Sequence, residues 1–372
     1  MSPTDAHDVR GTRVLLVLGT SAGGVVRHVA QVGGLLREAG ADVRVGGPAS
    51  VTVALGALPW SDVPIGDRPG VTDLSALRRL RALLAGADVA HAHGLRAGAL
   101  TVLAARSLRR RPRVVVTLHN LPVGGRGVRA VSEVLERVVA RGADVVLGVS
   151  GDLVARAAAR GARSTARALV PAPAGPLVDV DRTDVRAGLG LGAATRLVLT
   201  VARLAPQKGL DTLLEAAAAL GSHPAGRDVT WCVAGGGPLL DDLRAQAELR
   251  GAPVQLLGPR DDVARLLAAA DVVVSTAVWE GQPIAVQEAL RAGCALVATD
   301  AGGTREVVGD AAVLVPVGDA PAIARAVADL LEEPQRLARL RRDALARAAT
   351  LPTRADVLGQ LTQVYAGQPP RV

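Results

Sequence analysis

Short apolar runs alternate with longer stretches rich in Ala, Leu and Arg along most of the chain. The runs have the length of buried strands, whereas the longer stretches have the composition of helices. Alternation of this kind predicts parallel sheets with helices on both faces. The predicted strands form two series: Val14–Leu18, Val43–Val45, Val89–His91, Val114–Leu118 and Val145–Val149, then Leu197–Ala202, Val229–Ala234, Val254–Leu257, Val272–Ser275 and Ala295–Ala298.

A proline-rich segment, Pro171–Pro176, separates the two series and is typical of a rigid spacer. The 372 residues also have the length of about two domains of roughly 150 residues each. We therefore predict two doubly wound α/β domains, at residues 1–172 and 177–352, that face each other across a cleft. Residues from about 353 to 372 are expected to pack back on the first domain.

Two acids bracket the start of a predicted helix that follows the strand Val272–Ser275. Glu280 falls in the loop, Pro283 suits the first position of the helix, and Glu288 lies five residues further on. The two acids are thus separated by roughly 7 to 8 Å of helix, at about 1.5 Å per residue. The N–H groups of Ile284–Val286 at this helix N-terminus attract an anion. An anion flanked by two carboxylates that bind hydroxyls describes a sugar nucleotide.

Two cations, Arg203 and Lys208, follow the predicted strand Leu197–Ala202, before a helical pattern begins at Leu210. Arg supplies a rigid fork of donors and Lys a mobile charge, a pairing suited to a diphosphate. Cations at the carboxyl end of a strand in an α/β pattern often bind ligands. These cations give independent support to a ligand-binding role for Glu288. The spacing between Glu280 and Glu288 alone would also fit a Glu288 on a solvated helix face.

Four segments resemble the donor half of glycosyltransferase family 4, and they follow one another in the order of that family. They are Arg203–Gly209, Val233–Pro238, Trp279–Pro283 continuing through Glu288 to Gly293, and Ala298–Glu306. The resemblance implies the GT-B fold, with two Rossmann-like domains. It also implies a retaining transferase of the hexosyl type that uses a nucleotide sugar and needs no metal or other cofactor.

The resemblance assigns roles to individual residues of the second domain. Arg203 and Lys208 would hold the donor diphosphate, Glu280 would bond hydroxyls of the transferred sugar, and Glu288 would bind the ribose diol. Gln282 occupies a position where the family often has an apolar or aromatic residue, so it could set sugar identity. Further donor contacts are expected along the same loops, at Gly281, Ile284 and Ala285 and, beside the base, at Pro259 and Arg260.

The first domain opens with a glycine-rich turn, Gly19–Gly24, which lacks the spacing of the dinucleotide fingerprint and so weakens a dehydrogenase interpretation. In the family a Gly-Gly here faces the donor phosphates, and Gly23 and Gly24 match it. The alternative is a turn needed only for chain reversal. His119 ends a predicted strand, and the family has a histidine there that contacts the transferred sugar. A lone histidine in this place is more often structural.

Two further patterns could be taken for metal sites. His91 and His93 have the period-2 spacing of one strand face, but no acidic or Cys partner at ligand spacing is apparent. We interpret them as core or acceptor-cleft histidines. Asp179 and Asp181 follow the proline-rich segment instead of a strand, so we interpret them as surface acids of the linker.

The composition of the chain limits the classes of partner that it is expected to bind. Lys and Arg number 43 against 35 acids, and the net charge of +8 suits polyphosphate substrates, nucleic acid or an anionic membrane. Nucleic acid is the weakest of these options, and we expect no nucleic-acid partner, because single-strand platforms stack bases on aromatic rings and aromatic residues are only 1% of the chain. With no Phe, one Tyr and three Trp, we expect cores of Ala, Val and Leu with closely approaching helices.

Membrane contact is left open by two Arg-rich tracts, Arg78–Arg81 and Arg106–Arg113, for which solvated helix faces are the favoured interpretation. The polar N-terminus does not resemble a signal peptide, and no apolar run reaches 18 residues. Cys232 and Cys294 lie in or beside apolar runs and suit a reduced compartment. We expect a cytoplasmic protein, with weak association at the inner face of the membrane as an option.

The resulting hypothesis is a retaining glycosyltransferase that moves a sugar from a nucleoside diphosphate sugar to an unidentified acceptor, such as a lipid-linked or cell-envelope glycan precursor. Two alternatives stay open. One is a sugar-nucleotide 2-epimerase of the same fold, which would work without an acceptor. The other is a non-catalytic nucleotide-sugar-binding protein, which would keep the cations but could dispense with Glu280.

Overall fold

The computed structural model of the chain describes residues 8–20, 24–121, 125–172, 181–192 and 194–368. The chain divides into two compact units. The first comprises Met1–Val170 together with Pro352–Val372, and the second comprises Pro171–Leu351.

Each unit contains one parallel sheet, and the strands are numbered along the chain. The first unit contains β1 (Arg13–Leu18), β2 (Asp42–Gly47), β3 (Trp60–Asp62), β4 (Val89–His93), β5 (Arg113–Leu118), β6 (Val145–Gly148) and β7 (Thr165–Arg167). The second contains β8 (Arg196–Val201), β9 (Val229–Ala234), β10 (Val254–Gly258), β11 (Val272–Ser275), β12 (Ala295–Thr299) and β13 (Val313–Val315). The sheet orders are β3-β2-β1-β4-β5-β6-β7 and β10-β9-β8-β11-β12-β13.

Helices connect the strands of both sheets. The first unit has α1 (Gly24–Glu38), α2 (Thr52–Leu55), α3 (Thr72–Leu84), α4 (Leu95–Arg106), α5 (Arg126–Gly142), α6 (Gly151–Ala159) and, from the end of the chain, α15 (Arg354–Tyr365). The second has α7 (Arg182–Gly188), α8 (Leu210–Gly221), α9 (Leu240–Arg250), α10 (Val263–Ala269), α11 (Ile284–Arg291), α12 (Thr304–Val308), α13 (Ala320–Glu332) and α14 (Pro334–Ala348). Short 3-10 turns lie at Ala49–Val51, Pro206–Lys208 and Pro224–Gly226.

The predicted fold class is confirmed, since both units are doubly wound α/β structures with parallel sheets. All ten predicted strands are present, and β9 and β11 have the predicted bounds. The strands β3, β7 and β13 were not predicted. Each has three residues and lies at the edge of its sheet, so its side chains lack the long apolar run that marks a central strand.

Small residues bring helices close to their neighbours, as the aromatic-poor composition predicted. A Cβ added to Gly98 of α4 would lie 2.6 Å from a methyl group of Val116 on β5. A Cβ on Gly142, at the end of α5, would lie 2.2 Å from Val102 of α4. Either position therefore accepts only glycine without a shift of the backbone or the neighbouring side chain.

The second unit buries apolar residues on both faces of its sheet. One cluster packs α8 and α13 against the sheet, and the other packs α10, α11 and α14 against the opposite face. Trp231 of β9 is 1% exposed, and its indole N–H donates to Thr200 Oγ1 at 3.1 Å. Among the described residues no helix is long and apolar enough to cross a bilayer.

Candidate functional site

The order of the second sheet defines where a ligand site is expected. Strands β8 and β11 are neighbours, although β9 and β10 continue the sheet to one side and β12 and β13 to the other. The helices leave the two central strands toward opposite faces at such a switch point, which opens a crevice at their carboxyl ends. Lys208 follows β8 and Glu280 follows β11, so both lie at this edge.

The loops after β8 and β11 are tied together by backbone contacts. Gly209 has a φ of +61°, and a Cβ there would lie 2.0 Å from the carbonyl oxygen of Thr276. The Thr276 hydroxyl donates to the carbonyl of Lys208 at 2.8 Å, and the N–H of Val278 donates to the carbonyl of Gln207 at 2.9 Å. The two loops therefore form one rigid platform, which requires glycine at position 209.

Lys208 and Glu280 form an ion pair through Nζ and Oε1, with side chains 21% and 14% exposed. A third loop holds the acid in place, because the N–H of Gly303 donates to the Glu280 carbonyl at 2.8 Å. Gly302 has a φ of +54°, and a Cβ there would lie 2.2 Å from the same carbonyl oxygen. The predicted diphosphate cation and the predicted sugar-binding acid thus meet, although 72 residues separate them.

Arg203 lies on the adjoining part of the β8 loop and is exposed. Its side chain has no ion pair or hydrogen bond with any residue that the structure describes. The backbone around it is fixed by the glycine loop after β9: Leu204 N donates to Gly236 O at 2.9 Å, and a Cβ on Gly235 would lie 1.8 Å from the Ala202 carbonyl oxygen. The backbone of this loop is therefore held in place, whereas the Arg203 guanidinium is exposed and without a partner among the described residues.

The glycine loop continues to the end of β10. Gly235 N donates to Gly258 O at 2.8 Å, and a Cβ on Gly236 would lie 2.8 Å from Pro259. Arg260 forms two hydrogen bonds to the Asp262 carboxylate at 2.6 and 2.7 Å, and these bonds lower the pKa of Asp262. Pro259 thus belongs to the same connected set of loops, while the Arg260 guanidinium is held by its own neighbour.

Helix α11 starts one residue later than predicted. Pro283 lies before its first residue with a ψ of 99°, which is extended, so the helix begins at Ile284. The eight-residue helix exposes part of Ile284, Ala285 and Glu288, while Gly281 is buried and Gln282 half-buried.

Gln287 was missed by sequence reasoning. It is 1% exposed, its side-chain oxygen accepts from Ala172 N at 2.8 Å, and its side-chain nitrogen donates to Gln282 at 3.4 Å. An amide between the apolar positions Val286 and Ala289 was the available signal, since a buried amide needs specific partners. Gln287 connects Gln282 to the segment that enters the second unit.

The composition of the chain also distinguishes Lys208 from the other cationic residues. It is the only lysine among the 43 Lys and Arg residues of the sequence. Arg replaces Lys at every other cationic position, so a site that needs a compact, mobile ammonium would account for the single exception.

The first unit has its own switch point, between β1 and β4. Gly23 lies outside the described residues, and Gly24 is the exposed first residue of α1. His119 follows β5 directly and is half-buried, and its Nε2 lies 3.1 Å from His93 Nδ1 at the end of β4. The sequence did not predict that these two histidines, with His28 of α1, would share one cluster.

His91 is a core histidine, one of the two interpretations that the sequence left open for His91 and His93. Its Nδ1 lies 2.8 Å from the Tyr365 hydroxyl and its Nε2 lies 2.7 Å from Thr117 Oγ1. The rings of His91 and His93 lie on one strand face and stack with centroids 4.3 Å apart. Burial lowers the pKa of His91 to about 3 and that of His28 to about 4, so both are neutral near pH 7.

Asp179 and Asp181 are the two acids that follow the proline-rich segment. Asp179 lies outside the described residues. Asp181 caps α7 by accepting a hydrogen bond from Thr183 N at 2.7 Å, which lowers its pKa. Its carboxylate is therefore accounted for by a structural role.

Comparisons with known proteins agree on one family. The family model for glycosyl transferases group 1 matches residues 181–347, and the glycosyl transferase 4-like domain matches residues 23–173. The chain is 32% identical to the phosphatidyl-myo-inositol mannosyltransferase of Mycolicibacterium smegmatis, over 92% of this chain and 90% of that protein. It is 31% identical to the protein of the same name from Mycobacterium leprae, over 92% of each chain.

Solved structures share the fold of the whole chain. Anabaena HepE in complex with UDP matches with a TM-score of 0.78 and 22% identity, covering 95% of this chain and 99% of that one. WaaG, a glycosyltransferase involved in lipopolysaccharide biosynthesis, matches with a TM-score of 0.73 and 17% identity, covering 95% and 100%. At these identities the likeness establishes the fold.

Proposed function

This chain belongs to the group 1 glycosyltransferases of the GT-B fold, and we propose that it transfers a sugar, with retention of anomeric configuration, from a nucleoside diphosphate sugar to a lipid-linked or cell-envelope acceptor. The observation that carries the proposal is the Lys208–Glu280 pair at the β8/β11 switch point. A cation for phosphate and an acid for hydroxyl groups occur there side by side.

The proposed chemistry rests mainly on electrostatics. As the bond from the sugar to the diphosphate breaks, negative charge develops on the leaving oxygen. Lys208 and Arg203, which has no partner among the described residues, would stabilise that charge, together with the N-terminus of α11. Interactions that strengthen as charge develops lower the barrier, whereas equal binding of substrate and transition state would not.

The acceptor hydroxyl would attack on the face from which the diphosphate departs, so the anomeric configuration is retained. Its proton would pass to the leaving phosphate oxygen, and no separate strong base is needed. Glu280 would orient the sugar through its hydroxyls, and His119 of the first unit would contact the sugar near the reacting carbon. We propose no metal or other cofactor for this step, because the cationic side chains would offset the diphosphate charge.

Two kinds of similar protein support the substrate classes. The mycobacterial relatives are phosphatidyl-myo-inositol mannosyltransferases, which supports a lipid acceptor for this chain. HepE has been solved in complex with UDP-glucose, which supports a nucleotide sugar as donor. No contact among the described residues distinguishes one donor sugar or base from another, so the assay below compares several donors.

The function is tested by incubating the purified protein with UDP-, GDP-, ADP- and dTDP-sugars, with and without phosphatidylinositol vesicles or other lipid acceptors. We expect donor consumption only when the acceptor is present, and an anomeric proton coupling that reports retention in the product. Consumption of donor without any acceptor would instead identify the 2-epimerase. Binding without turnover in every combination would indicate the non-catalytic alternative.

The single lysine permits a direct test of the donor site. Reductive methylation with ¹³C-formaldehyde keeps the charge of Lys208 and labels no other side chain. We expect its resonance to shift when a nucleoside diphosphate is added, with saturation at the affinity measured by calorimetry. An unchanged resonance in the presence of bound nucleotide would remove Lys208 from the site.

A further inference from the structure

Three histidines of the first unit, His28, His93 and His119, lie together at the carboxyl edge of its sheet. His93 ends β4, His119 follows the neighbouring strand β5, and His28 belongs to α1. The His28 ring meets both of the other rings edge to face, with centroids 5.7 and 5.5 Å apart. His93 also stacks on His91, with centroids 4.3 Å apart. The orientation of the His93 ring is therefore fixed by packing against two neighbours.

One ring nitrogen of His93 is in direct contact with one of His119. Nδ1 of His93 lies 3.1 Å from Nε2 of His119, which is within hydrogen-bond range. The ring planes differ by only 25° and the centroids are 5.4 Å apart, so the two rings meet nearly edge to edge. The N–H bond and the nitrogen lone pair of an imidazole both lie in the ring plane, so each nitrogen is aimed at the other. The contact therefore has the geometry of a hydrogen bond.

This contact requires a single proton between the two nitrogens. Two lone pairs at 3.1 Å would repel each other, and two N–H groups would collide. Burial lowers the pKa of both imidazoles well below the usual range of histidine, so near pH 7 each ring is neutral and carries one proton. Two arrangements remain. Either His93 donates from Nδ1 to His119, or His119 donates from Nε2 to His93.

The second ring nitrogen of His93 distinguishes these two arrangements. His93 Nε2 is buried and has no hydrogen-bond partner among the described residues. If His119 were the donor, the proton of the neutral His93 ring would lie on Nε2, as a buried N–H without an acceptor. If His93 is the donor, Nε2 is an unprotonated acceptor without a donor. Buried N–H groups without a partner are rarer in proteins than acceptors without one. The structure therefore favours donation from His93 Nδ1 to His119 Nε2.

We propose that His93 is a positioning residue for the transfer, because it fixes both the orientation and the tautomer of the His119 ring. When His119 Nε2 accepts from His93, the proton of the neutral His119 ring lies on Nδ1. The His119 side chain makes no other hydrogen bond among the described residues, so Nδ1–H is the group that it can still donate. His119 would thus meet the sugar as a hydrogen-bond donor and contact a hydroxyl or ring oxygen. This inference rests on the proposed function, in which His119 contacts the transferred sugar.

The tautomers are measured on the ligand-free, full-length protein by long-range ¹H–¹⁵N NMR of ¹⁵N-labelled histidine, at a pH well above the usual histidine pKa of about 6.5. The sequence has six histidines, and each signal is assigned by its loss from a single variant. We expect the proton on Nδ1 in both His93 and His119. His223 is an internal control with the opposite tautomer, because its Nδ1 accepts from Ala225 N at 3.2 Å and its proton therefore lies on Nε2. A proton on Nε2 of His119 would overturn the proposal.

Two substitutions of His93 separate its hydrogen bond from its packing. Asn places an amide nitrogen close to the Nδ1 position and keeps a donor there, whereas Leu fills the space without one. We expect His93→Leu to free the His119 tautomer and to lower kcat about 10-fold or more, with less effect on KM, because the lost bond orients a group beside the reacting carbon. His93→Asn should restore the Nδ1–H form of His119 and most of kcat. His223→Gln, at an exposed position of the second unit, should change neither quantity.

The kinetics use the donor and lipid acceptor that give the highest turnover in the assay described above. A folded His93→Leu variant with normal kcat and an unchanged His119 tautomer would contradict the proposal. Equal loss of kcat in His93→Leu and His93→Asn, with the tautomer unchanged in both, would show that His93 only fills space. Circular dichroism checks that each variant is folded, and the spectrum of the unmodified protein decides the tautomer even if His93→Leu does not fold. If no donor is turned over, the proposed function fails, while the NMR measurement still decides which histidine donates.

Discussion

Single side chains decide the chemistry proposed for this chain, and Lys208 is the clearest case. Its ammonium contacts the Glu280 carboxylate, and both are mostly shielded from water, so their interaction is stronger than that of an exposed pair. Arg203 differs because its guanidinium is exposed and unpaired among the described residues. In the proposed mechanism both cations would contact the diphosphate, Lys208 from its position beside Glu280 and Arg203 through an exposed side chain.

Replacing Lys208 tests the electrostatic mechanism. Lys208→Ala should lower kcat by about 10²–10³-fold, the typical loss when one fixed donor to a developing anion is removed. Lys208→Arg, which keeps the charge, should recover part of the rate. Arg244→Ala, at an exposed position of α9 in the same unit, is the matched control and should leave kcat and the melting temperature unchanged. Normal turnover of Lys208→Ala would refute the role.

Loops at the carboxyl ends of the second sheet position those side chains. Each loop contacts its neighbour at a glycine that has no room for a Cβ. Gly235 contacts the β8 loop, Gly209 contacts the β11 loop, and Gly302 contacts Glu280. The strands alone would place the loops at one edge, but the close backbone contacts set their separation. The geometry of the site at this scale therefore depends on glycines that set the distances between the loops.

Two glycines have nearly equal φ angles, so substituting each one distinguishes the cost of backbone strain from the cost of a steric contact. Gly209 and Gly251 have φ values of +61° and +60°, but a Cβ meets Thr276 only at position 209. Gly251→Ala should cost about 1–2 kcal/mol of unfolding free energy from the left-handed conformation alone. Gly209→Ala should lower the melting temperature further and also reduce transfer, because it displaces Lys208. Equal stability and equal activity of the two variants would contradict this account.

An acid-sensitive link joins β1 and β4, two neighbouring central strands of the first unit. Asp88, just before β4, accepts three hydrogen bonds from the Arg13 side chain and backbone in β1, at 2.7 to 3.1 Å. These bonds lower its pKa from 3.8 to about 2. Because the folded form holds the proton less tightly, the stabilisation is complete above about pH 4 and is lost as the pH falls toward 2.

Asp88→Asn should therefore lower the melting temperature near pH 6, and the difference from the unmodified protein should shrink as the pH approaches 2. Thermal unfolding followed by circular dichroism across this range measures the effect. Asp241→Asn, at an exposed carboxylate paired only within α9, is the control and should match the unmodified protein throughout. A difference that stays constant with pH would show that Asp88 acts by packing alone.

The whole molecule consists of two units, and the chain returns to the first after completing the second. Helix α15 belongs to the first unit: Gln360 bonds the carbonyl of Arg167 at 2.7 Å and the N–H of Leu169 at 3.2 Å, and Tyr365 bonds His91. The end of the chain thus completes the core beneath the histidine cluster. Damage to α15 should reach the first unit without affecting the second.

Tyr365→Phe tests this organisation by deleting one buried hydroxyl. The His91 nitrogen would lose its partner, and a buried group left unsatisfied costs about 1–3 kcal/mol. We expect differential scanning calorimetry to show a lower transition for the first unit and an unchanged one for the second. Arg354→Ala, which removes an exposed ion pair from the same helix, should change neither transition. A shift of the second transition alone would contradict the assignment.

The sequence by itself determined the fold class, the central strands and the loops that carry the motifs, because buried strands and helix starts leave local patterns of apolar and turn residues. Only the tertiary structure decided which side chains meet. The contact of Lys208 with Glu280 follows from the order in which β8 and β11 lie in the sheet. The cluster of His28, His93 and His119 follows from the order in which β1, β4 and β5 lie in the sheet, because α1, β4 and β5 then carry their histidines to the same edge. Such contacts join residues far apart in the chain, so no local periodicity records them.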